Sequence, residues 1–230
     1  MITVVIPCHN SHLQKLNIPT GFFLHEHQYL GQIIVIFNGI DGDISDQIER
    51  LRAKIESVGV KFSYKIFQEQ LNPGIARNQA YDLVTSKYVV FHDADDQPHP
   101  RKLEIIANAF RELGTDQLYH LFQPVELPFL DLKLDQIEYV EVKNDEYKDN
   151  NDLVLTKRTI GPVSHGLVAF RREKLLEWPA TRTGEDRKLA LECIKKGYKI
   201  YIIKTFLSSY NKYRLKKFKR SFPALYELFN

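Results

Sequence analysis

Three carboxylates follow a short apolar run near the middle of the chain. Asp93, Asp95 and Asp96 come directly after residues 88–92, a run typical of a buried strand. Carboxylates this close repel one another unless a cation neutralises them. Mg²⁺ and Mn²⁺ bind a few carboxylates together with substrate phosphates. The cluster therefore predicts a divalent metal site, although acidic residues of this kind also cap helices or form solvated turns.

Polar residues also stand where two earlier apolar runs end. The run at residues 3–6 leads into Pro7-Cys8-His9-Asn10, and the run at residues 32–37 leads into Asn38-Gly39. In open α/β sheets, ligands bind at the carboxyl ends of the strands. We therefore expect these segments to share one edge of a sheet with the three aspartates.

The apolar pattern predicts the elements that position these residues. Continuous apolar runs predict strands at residues 3–6, 32–37, 60–67 and 88–92, and later at 163–171 and 198–203. Apolar spacing of three and four predicts helices at residues 44–58, 73–85, 100–113 and 186–196. This alternation predicts a single α/β (Rossmann-like) domain with a mostly parallel central sheet flanked by helices.

Composition narrows the class of protein further. The 230 residues are 43% hydrophobic and 27% charged, which excludes collagen-like, mostly disordered and multi-span membrane proteins. The two cysteines cannot form a disulfide framework, so we expect a reducing, cytoplasmic compartment. The sequence starts without a signal-peptide pattern, and its apolar runs fall short of the roughly 20 residues that cross a bilayer.

Several motifs occur in register. The segment Asn72-Pro73-Gly74-Ile75-Ala76-Arg77-Asn78 precedes the run that ends in His92-Asp93-Ala94-Asp95-Asp96. An opening strand ends in Ile6-Pro7-Cys8-His9-Asn10, and Gly184-Glu185-Asp186-Arg187-Lys188-Leu189 follows much later. In this order the chain resembles family-2 glycosyltransferases of the GT-A fold, and the resemblance spans residues 2–206.

The resemblance implies a reaction. A GT-A-like domain at residues 1–209 would transfer a sugar from a nucleotide-diphosphate sugar, with UDP as the expected nucleotide, to an acceptor hydroxyl with inversion. It implies Asp186 as the general base and Mn²⁺ or Mg²⁺ on Asp95 and Asp93. The acceptor site implied in this way comprises His165, Gly166 and Glu185. The implied donor site comprises Pro7, His9, Asn10, Asn38, Gly74, Arg77, Asp93, Ala94 and Asp95.

Two departures from the family pattern bear on the donor and the metal. Asn38 stands where many members carry the aspartate that reads the donor base, so a uracil preference would rest on an amide. No histidine follows His165, which removes a downstream histidine ligand for the metal. The spacings His9-x-x-His12 and His25-Glu26-His27 lack a third ligand, and we predict solvated or packed histidines there.

The C-terminal segment, residues 210–230, forms a basic aromatic arm. Six cations and no acid occupy residues 211–220, and without them the formal net charge of +3 becomes −3. Such a helical arm can lie on an anionic lipid surface, bind nucleic-acid phosphates, or pack its aromatic residues on the domain. We expect packing on the domain, and both anionic partners remain open.

Two other functions compete with sugar transfer. A nucleotidyltransferase that makes nucleotide sugars shares this architecture, but it usually opens with a Gly-rich basic loop, which Pro7-Cys8-His9-Asn10-Ser11 does not provide. A nucleic-acid-binding module that uses the basic arm would leave the ordered motifs unexplained.

Overall fold

A computed structural model describes residues 1–142, 163–181, 184–210 and 214–229 of the chain. Within these residues, nine strands form a single sheet in the order β3-β2-β1-β4-β8-β6-β9-β5, and β7 pairs with β9 outside this path. Helices pack on the sheet and connect its strands. A single mixed α/β domain results, as the sequence predicts.

The N-terminal half of the sheet is parallel. Its strands are β1 (Ile2–His9), β2 (Leu30–Asn38), β3 (Lys61–Ile66) and β4 (Tyr88–Phe91). β1 lies between β2 and β4, and β2 also pairs with β3. Because all four strands run the same way, the segments that follow them meet at one edge of the sheet.

Both faces of this half are covered, which explains its continuous apolar runs. In β2, Ile33 and Val35 belong to one hydrophobic cluster, while Ile34 and Ile36 belong to the cluster on the other face. Successive side chains of a strand point to opposite faces, so a strand between two apolar layers has no polar face.

Helices precede or follow each of these strands. They are α1 (Asn17–His25), α2 (Ser45–Glu56), α3 (Pro73–Asn78) and α4 (Lys102–Leu113). α4 ends at Gly114, whose φ of 58° suits a residue without a Cβ atom. α3 is shorter than the predicted helix at residues 73–85. The Asn78 side chain is bonded to the Trp178 backbone, and a separate 3₁₀ turn follows at Tyr81–Leu83.

The second half of the sheet is mixed, so the expectation of a mostly parallel sheet describes only the first half. Its strands are β5 (Gln97–Pro98), β6 (Gln117–Pro124), β7 (Tyr139–Glu141), β8 (Val163–Arg171) and β9 (Ile200–Tyr210). β8 lies antiparallel between β4 and β6, whereas β6 and β9 are parallel. β9 extends well beyond the predicted strand at 198–203, and its last residue reaches the same edge as the ends of β1 and β4.

Three helices complete the described chain: α5 (Glu185–Lys195), α6 (Leu215–Ser221) and α7 (Pro223–Tyr226). In α6, Phe218 is fully buried and its ring lies 5.9 Å from that of Phe206 in β9. In the described part of the arm, Phe218 thus packs against β9. No helix among the described residues combines the length and apolar character that a membrane span needs.

The start of α4 depends on a distant carboxylate. Glu26 is buried, and its two oxygens accept hydrogen bonds from the backbone N–H groups of Leu103 and Glu104, both at 2.9 Å. The Arg101 side chain, at the N-cap position, accepts no hydrogen bond from the first N–H groups of the helix. Since the first N–H groups of a helix have no partner within the helix, Glu26 supplies the cap from outside.

Replacing Glu26 with alanine should lower the free energy of unfolding by about 2 kcal/mol, because two N–H groups then lose their acceptor. Urea unfolding followed by circular dichroism measures this change. Glu56→Ala, an exposed carboxylate at the end of α2, is the control and should change stability by less than about 0.5 kcal/mol. Equal effects of the two substitutions would contradict the capping role.

Candidate active site

A cleft of about 460 Å³ opens at the carboxyl edge of the parallel strands. It is bordered by the ends of β1, β2 and β9, by the turn after β4, and by α3 and the start of α5. Eight of the residues singled out in the sequence line it: Pro7, His9, Asn38, Arg77, Asp93, Ala94, Asp95 and Glu185. The topology thus brings together residues as far apart in the chain as Pro7 and Tyr210.

The turn after β4 carries the aspartates into this cleft. The Asp96 N–H group donates to the Asp93 carbonyl at 3.3 Å, which closes the turn. Asp93 and Asp95 line the cleft, whereas Asp96 is buried behind it. The three carboxylates therefore do not form one cluster: two face the cleft and one faces the protein interior.

A buried polar layer supports the turn from behind. His92 Nε2 donates to the Asp96 carbonyl at 3.2 Å, and His92 Nδ1 accepts from Lys102 Nζ at 3.1 Å. Lys102 Nζ also donates to Ser208 Oγ at 3.0 Å. Burial lowers the pKa of Lys102 to about 7 and the pKa of His92 well below its usual value. This layer connects the turn to both α4 and β9.

Arg77 of α3 holds the turn from the cleft side. Its Nη2 donates to Asp93 Oδ1 at 2.8 Å, and its guanidinium stacks on the Trp178 ring at 4.5 Å. Only 2% of Arg77 is exposed, yet its Nε and Nη1 atoms form no hydrogen bond with the described residues. Nη1 lies 4.0 Å from Glu185 Oε1. Arg77 thus orders Asp93 and retains N–H groups that suit an anionic ligand.

The Asn-Pro-Gly sequence before Arg77 sets the position of this helix. Asn72 caps α3 by accepting a hydrogen bond from the Ile75 N–H group at 2.9 Å, and Pro73 occupies its first turn. A Cβ atom on Gly74 would lie 3.1 Å from both Trp178 Cβ and the Pro179 carbonyl. Gly74 does not line the cleft. It permits the close approach of the loop that carries Trp178.

α5 contributes the two carboxylates at its start. Gly184, with a φ of 72°, leads into Glu185 and Asp186. Glu185 lines the cleft with 13% of its side chain exposed, whereas Asp186 is buried and does not line it. Both carboxylates lie in the first turn, where the helix dipole favours negative charge.

The ends of β1 and β2 meet across a glycine. His9 Nδ1 accepts from the Ser11 N–H group at 3.2 Å and starts the 3₁₀ helix Asn10–Lys15. Gly39 has a φ of 64°, and a Cβ atom there would lie 2.8 Å from His9 Nε2. Asn38 lines the cleft, and its Oδ1 has no hydrogen-bond partner among the described residues. Asn10 does not line the cleft.

Six further residues line the cleft that the sequence did not single out as site residues: Ser11, His12, Gln70, Leu71, Pro73 and Tyr210. His12 is partly exposed and lies in the cleft, with its Nε2 3.7 Å from Asp95 Oδ2. Tyr210 ends β9, and burial raises its pKa, with Asp96, Asp93 and Asp95 adding to the effect. In the sequence, the position of His12 three residues after His9 could have indicated a site residue. No sequence pattern indicated that Tyr210 lines the cleft.

Two of the implied acceptor residues lie at the edge of what the structure describes. His165 and Gly166 fall within β8, but their side chains are outside the described residues. Within the described chain, no three or more His, Cys, Asp and Glu side chains converge closely enough to hold a metal ion by themselves. A divalent ion at Asp95 would therefore need ligand oxygens from a substrate or water.

Comparisons with known proteins agree with this architecture. S. aureus TarS 1–349 superposes with a TM-score of 0.66 at 16% identity, covering 91% of this chain and 60% of that one. Its complex with UDP-GlcNAc gives 0.65 at 15% identity, with 93% and 59% covered. The mannosyltransferase PcManGT from Pyrobaculum calidifontis, in complex with GDP-Man and Mn²⁺, gives 0.59 at 16% identity, with 86% and 53% covered.

Sequence comparison leads to the same family. The amylovoran biosynthesis glycosyltransferase AmsB of Erwinia amylovora is 33% identical over 102 residues, which cover 44% of this chain and 33% of AmsB. The chain therefore spans about a third of this relative and about 60% of the TarS fragment. The family described as Glycosyl transferase family 2 matches residues 3–177, from β1 to the residue before Trp178. By this match over most of its length, the chain belongs to glycosyltransferase family 2.

Proposed function

We propose that the protein transfers a sugar from a nucleotide-diphosphate sugar to an acceptor hydroxyl, with inversion at the anomeric carbon. One observation carries this proposal: Asp93, Asp95 and the buried Arg77 converge on one cleft, where Arg77 retains unbonded N–H groups. Carboxylates for a divalent ion beside a guanidinium for phosphate oxygens suit a diphosphate leaving group. Family membership supports this reaction class.

The metal part of the proposal concerns Asp95 and Asp93. A bound Mn²⁺ or Mg²⁺ ion would supply Lewis-acid stabilisation of the negative charge that develops on the leaving diphosphate. Asp95 is the better placed carboxylate, because Asp93 Oδ1 already accepts a hydrogen bond from Arg77. Asp93 retains its second oxygen for the ion or for the ribose hydroxyls of the donor. The donor set consists of hard oxygens, which fits either ion.

The chemical step requires a base on the acceptor side. The acceptor oxygen forms a bond to the anomeric carbon as the bond from that carbon to the phosphate oxygen breaks. The electron pair of the broken bond leaves with the diphosphate, and the acceptor proton passes to a carboxylate. We assign this role to Asp186 from the family motif. Glu185 lines the cleft beside it and would bind the acceptor.

Asn38 supports the assignment of a uridine donor. Asn38 lines the cleft, and its buried Oδ1 has no hydrogen-bond partner among the described residues. An amide oxygen accepts a hydrogen bond, and the N3–H group of uracil donates one. TarS, which superposes over most of this chain, has been crystallised with UDP-GlcNAc. We therefore propose UDP as the nucleotide of the donor.

Calorimetric titration with UDP and GDP, with and without Mn²⁺, tests the donor proposal. We expect metal-dependent binding of UDP that Asp95→Asn weakens at least about tenfold, since a neutral amide is a poor ligand for a hard cation. Asp46→Asn, an exposed acid in the first turn of α2, should bind like the wild type. The absence of nucleotide binding under every metal condition would overturn the transferase proposal, and binding of GDP alone would overturn the uridine assignment.

Asp186→Asn should reduce turnover about 10²–10⁴-fold while changing the donor Kd by less than about threefold, because the general base acts on the acceptor proton. Release of UDP from a UDP-sugar, measured with a panel of saccharide acceptors, gives the rate. Glu185→Gln is the matched comparison and should raise the acceptor KM with a smaller effect on kcat. A fully active Asp186→Asn enzyme, or an inactive Glu185→Gln enzyme, would reassign the base.

The described part of the basic arm offers an anionic partner a charged face, and the aromatic residues of α6, α7 and the last turn are buried or half-buried. Lys216, Lys217, Lys219 and Arg220 are exposed, whereas Phe218 is buried. The Lys219 ammonium lies over the Tyr226 ring at 4.2 Å. Stacking on bases needs accessible aromatic rings, whereas attraction to anionic lipid headgroups needs only the cations. We therefore propose a lipid surface as the partner of the arm.

Cosedimentation with phosphatidylglycerol and phosphatidylcholine vesicles tests this surface. Replacing Lys216, Lys217, Lys219 and Arg220 with glutamine should weaken binding to the anionic vesicles about 100-fold or more, because each basic residue contributes about 1 kcal/mol. The matched control replaces four exposed cations elsewhere: Arg50, Lys54, Lys61 and Lys196. Equal losses in the two variants, or tighter binding to single-stranded RNA than to vesicles, would overturn the proposal.

A further inference from the structure

Two cationic or basic side chains approach the same oxygen of Asp95. His12 Nε2 lies 3.7 Å from Asp95 Oδ2, and Lys15 Nζ lies 3.9 Å from it. Both distances exceed those of hydrogen bonds. Only 8% of the Asp95 side chain is exposed, whereas His12 and Lys15 are 26% and 43% exposed. Asp95, the most buried carboxylate of the cleft, therefore lies near an imidazole and an amine, and neither distance is that of a hydrogen bond.

The local structure explains why both groups face Asp95. Asn10–Lys15 is a 3₁₀ helix, in which side chains three residues apart lie on the same side. His9 caps this helix through its Nδ1 atom and thereby fixes where its first turn begins. His12 and Lys15 are three residues apart, so the helix presents them together to the turn after β4.

The other histidines near the turn are committed elsewhere. His92 uses both ring nitrogens, one toward Lys102 and one toward the Asp96 carbonyl. His9 uses Nδ1 in its cap, and its Nε2 faces the backbone of Gly39. His12 is thus the described histidine whose ring nitrogen lies within 4 Å of a carboxylate assigned to the metal.

We propose that His12 Nε2 is a ligand of the divalent ion that Asp95 binds, with diphosphate oxygens and water among the remaining ligands. The inference rests on the proposed metal dependence. Two atoms bonded to one ion at about 2.1 Å lie about 3.0–4.2 Å apart, depending on the angle between them. The observed separation of 3.7 Å falls within this range.

This assignment has a consequence for metal choice and for Lys15. An imidazole ligand favours Mn²⁺ over Mg²⁺, which keeps to oxygen ligands. Lys15, whose Nζ lies 3.9 Å from the same Asp95 oxygen, would neutralise the oxygens of a bound diphosphate with its ammonium group. The alternative is that His12 and Lys15 only balance the charge of Asp95, with no bond to a metal.

Pulsed electron paramagnetic resonance of the Mn²⁺-loaded full chain distinguishes a metal-bound His12 from a His12 that only balances charge, because it detects nitrogen bonded to the ion. The protein is labelled with ¹⁵N-histidine and measured with Mn²⁺ alone and with Mn²⁺ and UDP. We expect a histidine nitrogen coupling that His12→Gln abolishes, together with a Kd for Mn²⁺ that rises about tenfold or more. His25→Gln is the matched control, since His25 is exposed at the end of α1 and does not line the cleft, and it should retain the coupling.

Three outcomes would overturn the inference. Mn²⁺ binding without any nitrogen coupling in the wild type excludes a histidine ligand and leaves the metal proposal intact. A coupling that persists in His12→Gln assigns the ligand to another histidine. The absence of Mn²⁺ binding by the wild type, with or without UDP, overturns the metal proposal together with the inference. Circular dichroism of each variant verifies that it is folded.

Discussion

The cleft depends on how the protein tolerates three aspartates at the end of one buried strand. Each carboxylate meets different basic side chains: Asp93 bonds to Arg77, Asp95 faces His12 and Lys15, and Asp96 interacts electrostatically with the buried Lys102. Because these side chains come from α3, the first 3₁₀ helix and α4, they offset the mutual repulsion of the carboxylates once those elements are assembled. The carboxylates that would bind a metal ion thus also link three elements of the first half of the domain.

The second half of the chain supplies the walls that the parallel strands lack. Trp178 lies under the Arg77 guanidinium, and Asn78 exchanges hydrogen bonds with the Trp178 backbone in both directions. β9 carries Ser208 beneath the turn and Tyr210 into the cleft. Arg77 is consequently held on one side by an ion pair and on the other by an aromatic face. Such a guanidinium is preorganised, so binding of a diphosphate would order few additional groups.

The strands of the first half were predicted closely because residues buried on both faces leave an uninterrupted apolar run. The helix at residues 73–85 was predicted too long: α3 ends at Asn78, whose side chain bonds to a residue 100 positions away. β9 was predicted too short for a related reason. Its second part contains Ser208 and Ser209, whose polar side chains are buried beside Lys102 and β5, and neither neighbour is evident from local periodicity.

By itself the sequence determined the family resemblance, the alternation of strands and helices, and most residues of the cleft, because residues after parallel strands share one edge whatever the remaining contacts are. Only the tertiary structure decided which of the three aspartates face the cleft, that Gly74 serves packing, and that His12 approaches Asp95. These outcomes depend on side-chain orientation and on contacts between distant segments. Residue type and spacing specify which groups are available, whereas packing determines which of them meet.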